Sequence, residues 1–502
     1  MRTLLTAAWV VGYEAGGHVL LRNGEVAFEG DTVLFVGHGF DGPVDRRVDY
    51  GQAMIGPGFV DLDALGDVDT EVLTFDRGPA ETLGRVWTED ALRRGPSETF
   101  TPGEELAKYR YGFTRLLRNG ITSAVPITSM LYRQWAESYD EMAGVAHLAA
   151  DMGLRVWLGP CYMSGLTYQN AAGQLARHWD EARGLQGLED AERFITDFDG
   201  TAGGRISAAL LPDRIETQMP SVLKRTADIQ RASGIVLRIH CCQSTYEMET
   251  VLALRGTTSL GWLEQMSLLT ERTILPHGIY LSDHPQIRVT GQDDRLRLIS
   301  TGVTIAHCPV IFGRDGEFLD SFAKYLRSGI RMGMGTDTHP CDMIQNIRVG
   351  RMLNAVADGG PTASAADFYT AATIGGADAL GRPDLGRLAP GTKADIAVFD
   401  LAGLHLGPVD DPIHALALAG SGRDCRSVWV AGRQLVQDFA VVGVDETALG
   451  AEARRLYAKA RMSHADRAPE RPDPDLIFHA SYPVYSPKLG CGPGRSRGID
   501  HG

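Results

Sequence analysis

Hydrophobic and polar positions change rhythm three times along this chain. Over residues 1–55 short apolar runs alternate with turn residues. His18–Arg22, Glu25–Glu29 and Thr32–Gly37 read as strands separated by Asn23-Gly24 and Gly30-Asp31 turns. Met1–Val11 has one basic residue and a short apolar core without a convincing cleavage site, so it reads as an opening strand rather than a signal peptide. A meander of this kind cannot bury both faces and calls for a partner sheet. The same β-rich texture returns at Gly386–Asp400 and Arg426–Val436. Between these ends, strand-like and helix-like stretches alternate, the pattern of parallel β/α architecture. The strand candidates are Phe59-Val60, Gly120–Ile127, Leu154–Gly159, Arg205–Leu211, Ile235–His240, Thr273–His277, Val303–His307 and Arg331–Asp337. Tyr132–Met152 and Pro220–Ser233 have helical spacing. The fold class expected is α/β: a (β/α)8 barrel over 59–384, a composite β-sandwich built from 1–58 and 385–450, and a C-terminal helix and extended arm over 451–502.

Composition narrows this picture only modestly. The 502 residues exceed one ordinary domain, and 44% hydrophobic with 22% charged residues is usual for a globular chain. A net charge of −14 argues against nucleic acid or an anionic membrane as partner. No run approaches the roughly 18 apolar residues of a membrane span. Seven cysteines, at 161, 241, 242, 308, 341, 425 and 491, contain no Cys-x-x-Cys pair. They read as buried reduced thiols of a cytoplasmic protein.

The chemistry gathers at predicted strand ends, where barrels of this class keep reactive groups. Directly after Gly56-Pro57-Gly58-Phe59-Val60 come Asp61, Asp63, Asp67 and Asp69. Asp61, Asp67 and Asp69 read as turn or loop caps bonded to backbone amides. Further along, His240, His277, His307 and Asp337 close four other strands. Cys241 and Cys242 beside His240 are read as packing, because a reactive thiolate needs a nearby cation or base and strand alternation turns adjacent residues to opposite faces. Trp87, Phe75 and Tyr162 suit either a pocket wall or the core.

Pro57-Gly-Phe-Val-Asp61 resembles the first-strand signature of the amidohydrolase superfamily, which continues x-His-x-His, and Gly386–Asp395 resembles its C-terminal signature. Leu275–Asp283, Ala306–Pro309 and Gly335–Met343 are similar to motifs of the triazine hydrolase and cytosine deaminase branch. The wording over 307–348 resembles the molinate and phenylurea hydrolases. The resemblance implies a metal held by Asp63, His240 and Asp337, with Asp337 also the base and His277 the electrophile. Such a metal lowers the pKa of water to about 7. Substrate contacts are expected from Gln243, His307, Phe312, Arg314 and His339, where Arg314 suits either an anionic group of the substrate or a surface salt bridge and His339 either a substrate contact or a spare ligand. The resemblance also implies one divalent ion (zinc, iron, manganese or cobalt), a small-molecule substrate and a homo-oligomer.

Three departures shape the expectation. Asp63 and Leu65 stand where the signature has histidines, which trades nitrogen for a harder oxygen and removes one ligand. Gln243 replaces a proton-shuttling Glu, and an amide cannot exchange a proton, which argues against a cytosine- or guanine-type deaminase. Phe312 stands where an Asn is common, suiting a less polar substrate. The function expected is metal-assisted hydrolysis of a non-peptide C–N bond in an amide, urea, carbamate or amidine-like group. The alternatives are a metal-independent lyase or isomerase on the same barrel and an inactive binding homologue.

Overall fold

A computed structural model describes residues 1–70, 87–95, 97–467, 473–478 and 480–485 of the chain. Phe75 and Cys491, singled out above, lie outside the described residues. Eight parallel strands close into a barrel: Phe59–Leu65, Ile121–Ile127, Arg155–Leu158, Ile206–Pro212, Val236–Arg238, Thr273–Pro276, Thr304–His307 and Arg331–Met334. The eighth pairs back onto the first through Met334 and Asp61, which completes the expected (β/α)8 architecture. Helices between strands start on the chemistry the sequence provides. Before Pro102–Arg118, Thr101 accepts from the Glu104 amide while the Glu104 carboxylate accepts from the Thr101 amide, with Pro102 at the first helical position.

The two ends of the chain meet in one nine-stranded sheet. Ala53–Pro57 pairs antiparallel with Ile396–Asp400, joining the N-terminal strands to Cys425–Val430, Arg433–Gln437 and Ala440–Val441. The sheet folds over on itself. Phe28 on the strand Gly17–Glu29 meets Trp429 edge-on at 5.3 Å, although their strands stand four places apart in the pairing order. Leu5, Val26, Ile55, Ile396 and Trp429 fill the space between the two layers. Met1–Val11 falls almost wholly within the strand Arg2–Glu14, in keeping with its reading as a strand.

The chain passes from this sheet to the barrel at Gly58, and the passage is tight. A Cβ there would lie 2.1 Å from the Thr122 side chain, so only glycine fits. Beside it Arg155 at the foot of the third barrel strand donates to both carboxylate oxygens of Asp395, at 2.8 and 3.2 Å, both residues being buried. These contacts lock the first barrel strand and its carboxylates in register.

A third sheet and the seating of the C-terminal helix go beyond the sequence reading. Gly165–Gln169 and Leu175–Trp179 form a hairpin that pairs with Trp87–Thr88 in a small third sheet. Trp87 packs there against Met163 and Leu166, and buried Tyr162 hydrogen-bonds Thr226 at 2.9 Å; both side chains belong to cores. The C-terminal helix, Glu446–Arg467, lies against Pro102–Arg118 through Arg455 and Lys459 on Glu104. No helix among the described residues is long and apolar enough to cross a membrane.

Candidate active site

Four side chains converge at the C-terminal end of the barrel. Asp63 Oδ2 lies 3.7 Å from His240 Nε2 and 4.0 Å from His277 Nε2, and His277 Nε2 lies 3.7 Å from Asp337 Oδ2. These separations exceed a hydrogen bond. They are close to the edge of a tetrahedron with ligands at about 2.1 Å, which is about 3.4 Å. Asp63, His240 and Asp337 each offer an atom within 4.8 Å of the others. The strands hold these groups through their main chains. The Asp337 amide donates to the Asp63 carbonyl at 2.7 Å, and the His277 amide to the Ala306 carbonyl at 2.9 Å. His277 and Asp337 adopt positive φ, 74° and 53°, a conformation costly to non-glycine residues and concentrated at functional sites. Gly335 is required by closeness, since a Cβ would lie 2.7 Å from Cys308 Sγ and 2.8 Å from Asp63 Cβ.

The electrostatics follow from burial. Asp337 is pushed well above the ordinary carboxylate range, first by burial and then by the charge of Asp63. His277 is held well below the usual imidazole value by burial, so its ring is neutral. Burial would also raise Asp63, but the neighbouring His240 and the Arg238 guanidinium outweigh it and hold this carboxyl below its usual range. His240 Nδ1 lies 2.7 Å from the Asp213 carbonyl, which can only accept. Nδ1 therefore donates to that carbonyl and Nε2 is turned toward the other three groups, the usual orientation of a ligating histidine.

Arg238 was not foreseen in the sequence. Its guanidinium donates to Asp63 Oδ1 at 2.7 Å, with both side chains buried. The signal was present, because strand alternation places 238 on the same face as 240 and an arginine is costly inside an otherwise apolar strand. Cys308 was also missed as a neighbour of the site, its Sγ lying 3.9 Å from Asp63 Oδ2.

The predicted contact residues divide. Phe312 meets the His277 ring edge-on at 4.5 Å and forms an apolar wall. Gln243 is buried three residues after His240, its main-chain N–H donating to Glu247 Oε2 at 2.9 Å. Arg314 is drawn to the loop after Asp337, where it donates to Thr338 Oγ1 at 2.8 Å and to the His339 carbonyl. The His339 amide donates to Asp69 Oδ2 at 2.7 Å, and burial lowers its imidazole to about 4. The expected substrate contact of His307 is corrected. Its inner-facing neighbour is Cys308, and alternation turns His307 outward between Phe322 and Phe368, at 5.5 and 6.3 Å. Burial there lowers it to about 3. The remaining acidic residues hold backbone and loops. Asp61 accepts from Thr336 Oγ1 at 2.6 Å and from the Asp63 amide at 3.2 Å, and Asp67 pairs with Lys108 at 3.0 Å.

The donor set tests well against a cation. The two carboxylates and the His240 nitrogen face one another without hydrogen bonds between them, and His240 is oriented from behind. Leu65, by contrast, contributes only to the apolar core. These residues fit a single divalent ion with mixed oxygen and nitrogen ligands.

A closed parallel barrel with paired carboxylates and histidines at its C-terminal end defines the class of barrel hydrolases. The sequence profile of the Amidohydrolase family matches residues 87–435, and the chain belongs to that family. It is a hydrolase acting on carbon–nitrogen bonds other than peptide bonds. A 5-methylthioadenosine/S-adenosylhomocysteine deaminase of Natronomonas pharaonis is 28% identical over 456 residues, 88% of this chain and 96% of its own. A 5'-deoxyadenosine deaminase of Methanosarcina barkeri is 25% identical over 87% of this chain and 93% of its own. Among solved structures, an adenosine deaminase from Xanthomonas campestris with bound zinc superposes with a TM-score of 0.75 at 21% identity, covering 91% of this chain and 98% of its own. Atrazine chlorohydrolase of Arthrobacter aurescens complexed with zinc gives 0.75 at 22%, covering 91% and 100%. At such identities the structural likeness speaks for the fold.

Proposed function

We propose that the protein replaces an amine with water at a planar carbon of a small molecule, using one divalent cation held by Asp63, His240 and Asp337. The observation that carries this reading is the convergence of those three ligand atoms within 4.8 Å beside a neutral His277. A bound divalent cation supplies Lewis acidity and keeps Asp337 ionised at neutral pH. Asp337 takes a proton from the attacking water and delivers it to the leaving nitrogen as the C–N bond breaks. His277 Nδ1 has no partner among the described residues, so its proton can stand on Nε2 and be donated to the developing oxyanion. Phe312 offers its ring to an apolar face of the substrate.

Gln243 bears on the substrate class. Hydrolysis of an amide, urea or carbamate needs no proton on a ring nitrogen, whereas replacing the amine of an adenine-like amidine does. Gln243 therefore favours the first group. The likeness of 307–348 to molinate and phenylurea hydrolases supports the same choice, while the named deaminases support an amidine carbon.

The test is amine release by the cation-reconstituted protein from aryl-ureas, thiocarbamates and amides beside 5'-deoxyadenosine and 5-methylthioadenosine. Release is expected from the first group and is expected to fall by about 10²–10⁴-fold in Asp337→Asn. Turnover of the adenine-bearing compounds alone would overturn the substrate class. Unchanged release in Asp337→Asn would overturn the role of Asp337.

A further inference from the structure

Asp63 presents its two oxygens to different neighbours. Oδ1 accepts from Arg238 at 2.7 Å, while Oδ2 faces His240 and His277 at 3.7 and 4.0 Å. Arg238 lies on the fifth strand two residues before His240, so both side chains rise on the same inner face, Arg238 one layer deeper. Both members of the pair are fully buried, and Arg238 Nε has no partner among the described residues. A guanidinium kept in such a place needs a reason, because a buried ion pair is seldom retained for stability alone.

Charge provides one. In the family signature the first-strand ligand is a neutral imidazole. A carboxylate there adds a negative charge to a cage that already contains Asp337, and a cation beside its outer oxygen removes it again. We propose that Asp63 and Arg238 act as one neutral unit in place of that imidazole. Arg238 occupies the outer oxygen, leaves Asp63 a single oxygen for the cation, and keeps the net charge of the cage unchanged. Arg238 is thus a positioning residue, acting on the cation only through Asp63. The inference rests on the single-cation reading above.

The test is a melting cycle with a metal count. Arg238→Gln, Asp63→Asn and the double variant are melted after chelation, and each is then titrated with Zn(II) and Mn(II). Arg238→Gln leaves a buried carboxylate without its partner, so its chelated form is expected to melt about 5–10 °C below the wild type. Its stabilisation by added cation is expected to exceed that of the wild type, because the cation replaces the missing charge. The double variant, neutral again, is expected to recover most of the lost melting temperature. Asp63→His combined with Arg238→Gln exchanges one neutral unit for another and is expected to hold about one ion per chain by elemental mass spectrometry.

Equal melting of chelated Arg238→Gln and wild type would overturn the proposal, as would a double variant no more stable than the worse single one. If Arg238→Gln fails to fold, Asp63→Asn alone, which strands the guanidinium, must melt below the double variant. Wild-type protein that takes up no cation, with the apo cycle behaving as described, would instead count against the single-cation reading while leaving the pairing intact.

Discussion

Glu216 shows how far burial can set the state of one residue. It lies in the turn after the fourth barrel strand, and its Oε2 has no partner among the described residues. Burial, followed by the charge of Glu247, raises it to about 8. Glu247 accepts the Cys242 and Gln243 amides and the Ser259 hydroxyl, so it is the member of the two better able to carry the negative charge. Folded protein thus holds a proton on Glu216 that the unfolded chain releases near pH 4.5. The stabilisation is complete below that pH and is lost as pH rises toward 8. Glu216→Gln removes this dependence, and denaturant unfolding across pH 5–8 is expected to show the variant gaining on the wild type at each step. A constant difference across the range would contradict the assignment. Burial acts in the opposite sense on His307, lowered from 6.5 to about 3, so its neutral ring adds stability that is complete above pH 6.5 and is lost as pH falls from there toward 3. His307→Phe is expected to lessen the acid-side loss in the same experiment.

At this scale the sequence was informative wherever a reactive residue ends a strand in plain view. His240, His277 and Asp337, which the structure brings together, stand out in that way. Arg238 was passed over because it sits within an apolar run. His307 was misjudged because a terminal residue can face either side, and only the register with its neighbours decides which.

Among the elements, the segment Thr128–Ser138 is held against the barrel by a buried set of charges. Arg133 bonds Glu141 at 2.6 and 2.8 Å and Glu105 at 3.2 Å, while Lys108 bridges Glu105 at 2.9 Å and Asp67 at 3.0 Å. Asp67 in turn accepts from the Ser129 amide, so the loop following the first strand and the loop following the second are tied to one another. Removing one cation strands several carboxylates in low dielectric. Arg133→Met is expected to cost about 3–5 kcal/mol in unfolding free energy, measurable by denaturant titration; a change within about 0.5 kcal/mol, typical of a surface site, would contradict the account. The barrel strands and the joining of the chain ends were legible because apolar runs and turn residues mark them locally. The hairpin Gly165–Trp179 was not, since its outer strand, Leu175–Trp179, is partly exposed and carries no alternation that a sequence pattern could detect.

Across the whole molecule, the nine-stranded sheet and the barrel share the short passage at Gly58 and the Arg155–Asp395 pair, and the first strand that leaves this joint carries Asp61 and Asp63 to the site. The fold and the family were therefore readable from signatures spread along the chain, whereas the altered cage could be understood only when Arg238 was seen beside Asp63. That cage carries the central claim. Its most direct test is the metal content of untagged protein by elemental mass spectrometry, in wild type, Asp63→Ala and Asp337→Asn. The account predicts about one divalent ion per chain in the wild type and its loss in both variants. A wild type that takes up no ion after reconstitution with zinc, manganese, iron or cobalt would contradict it.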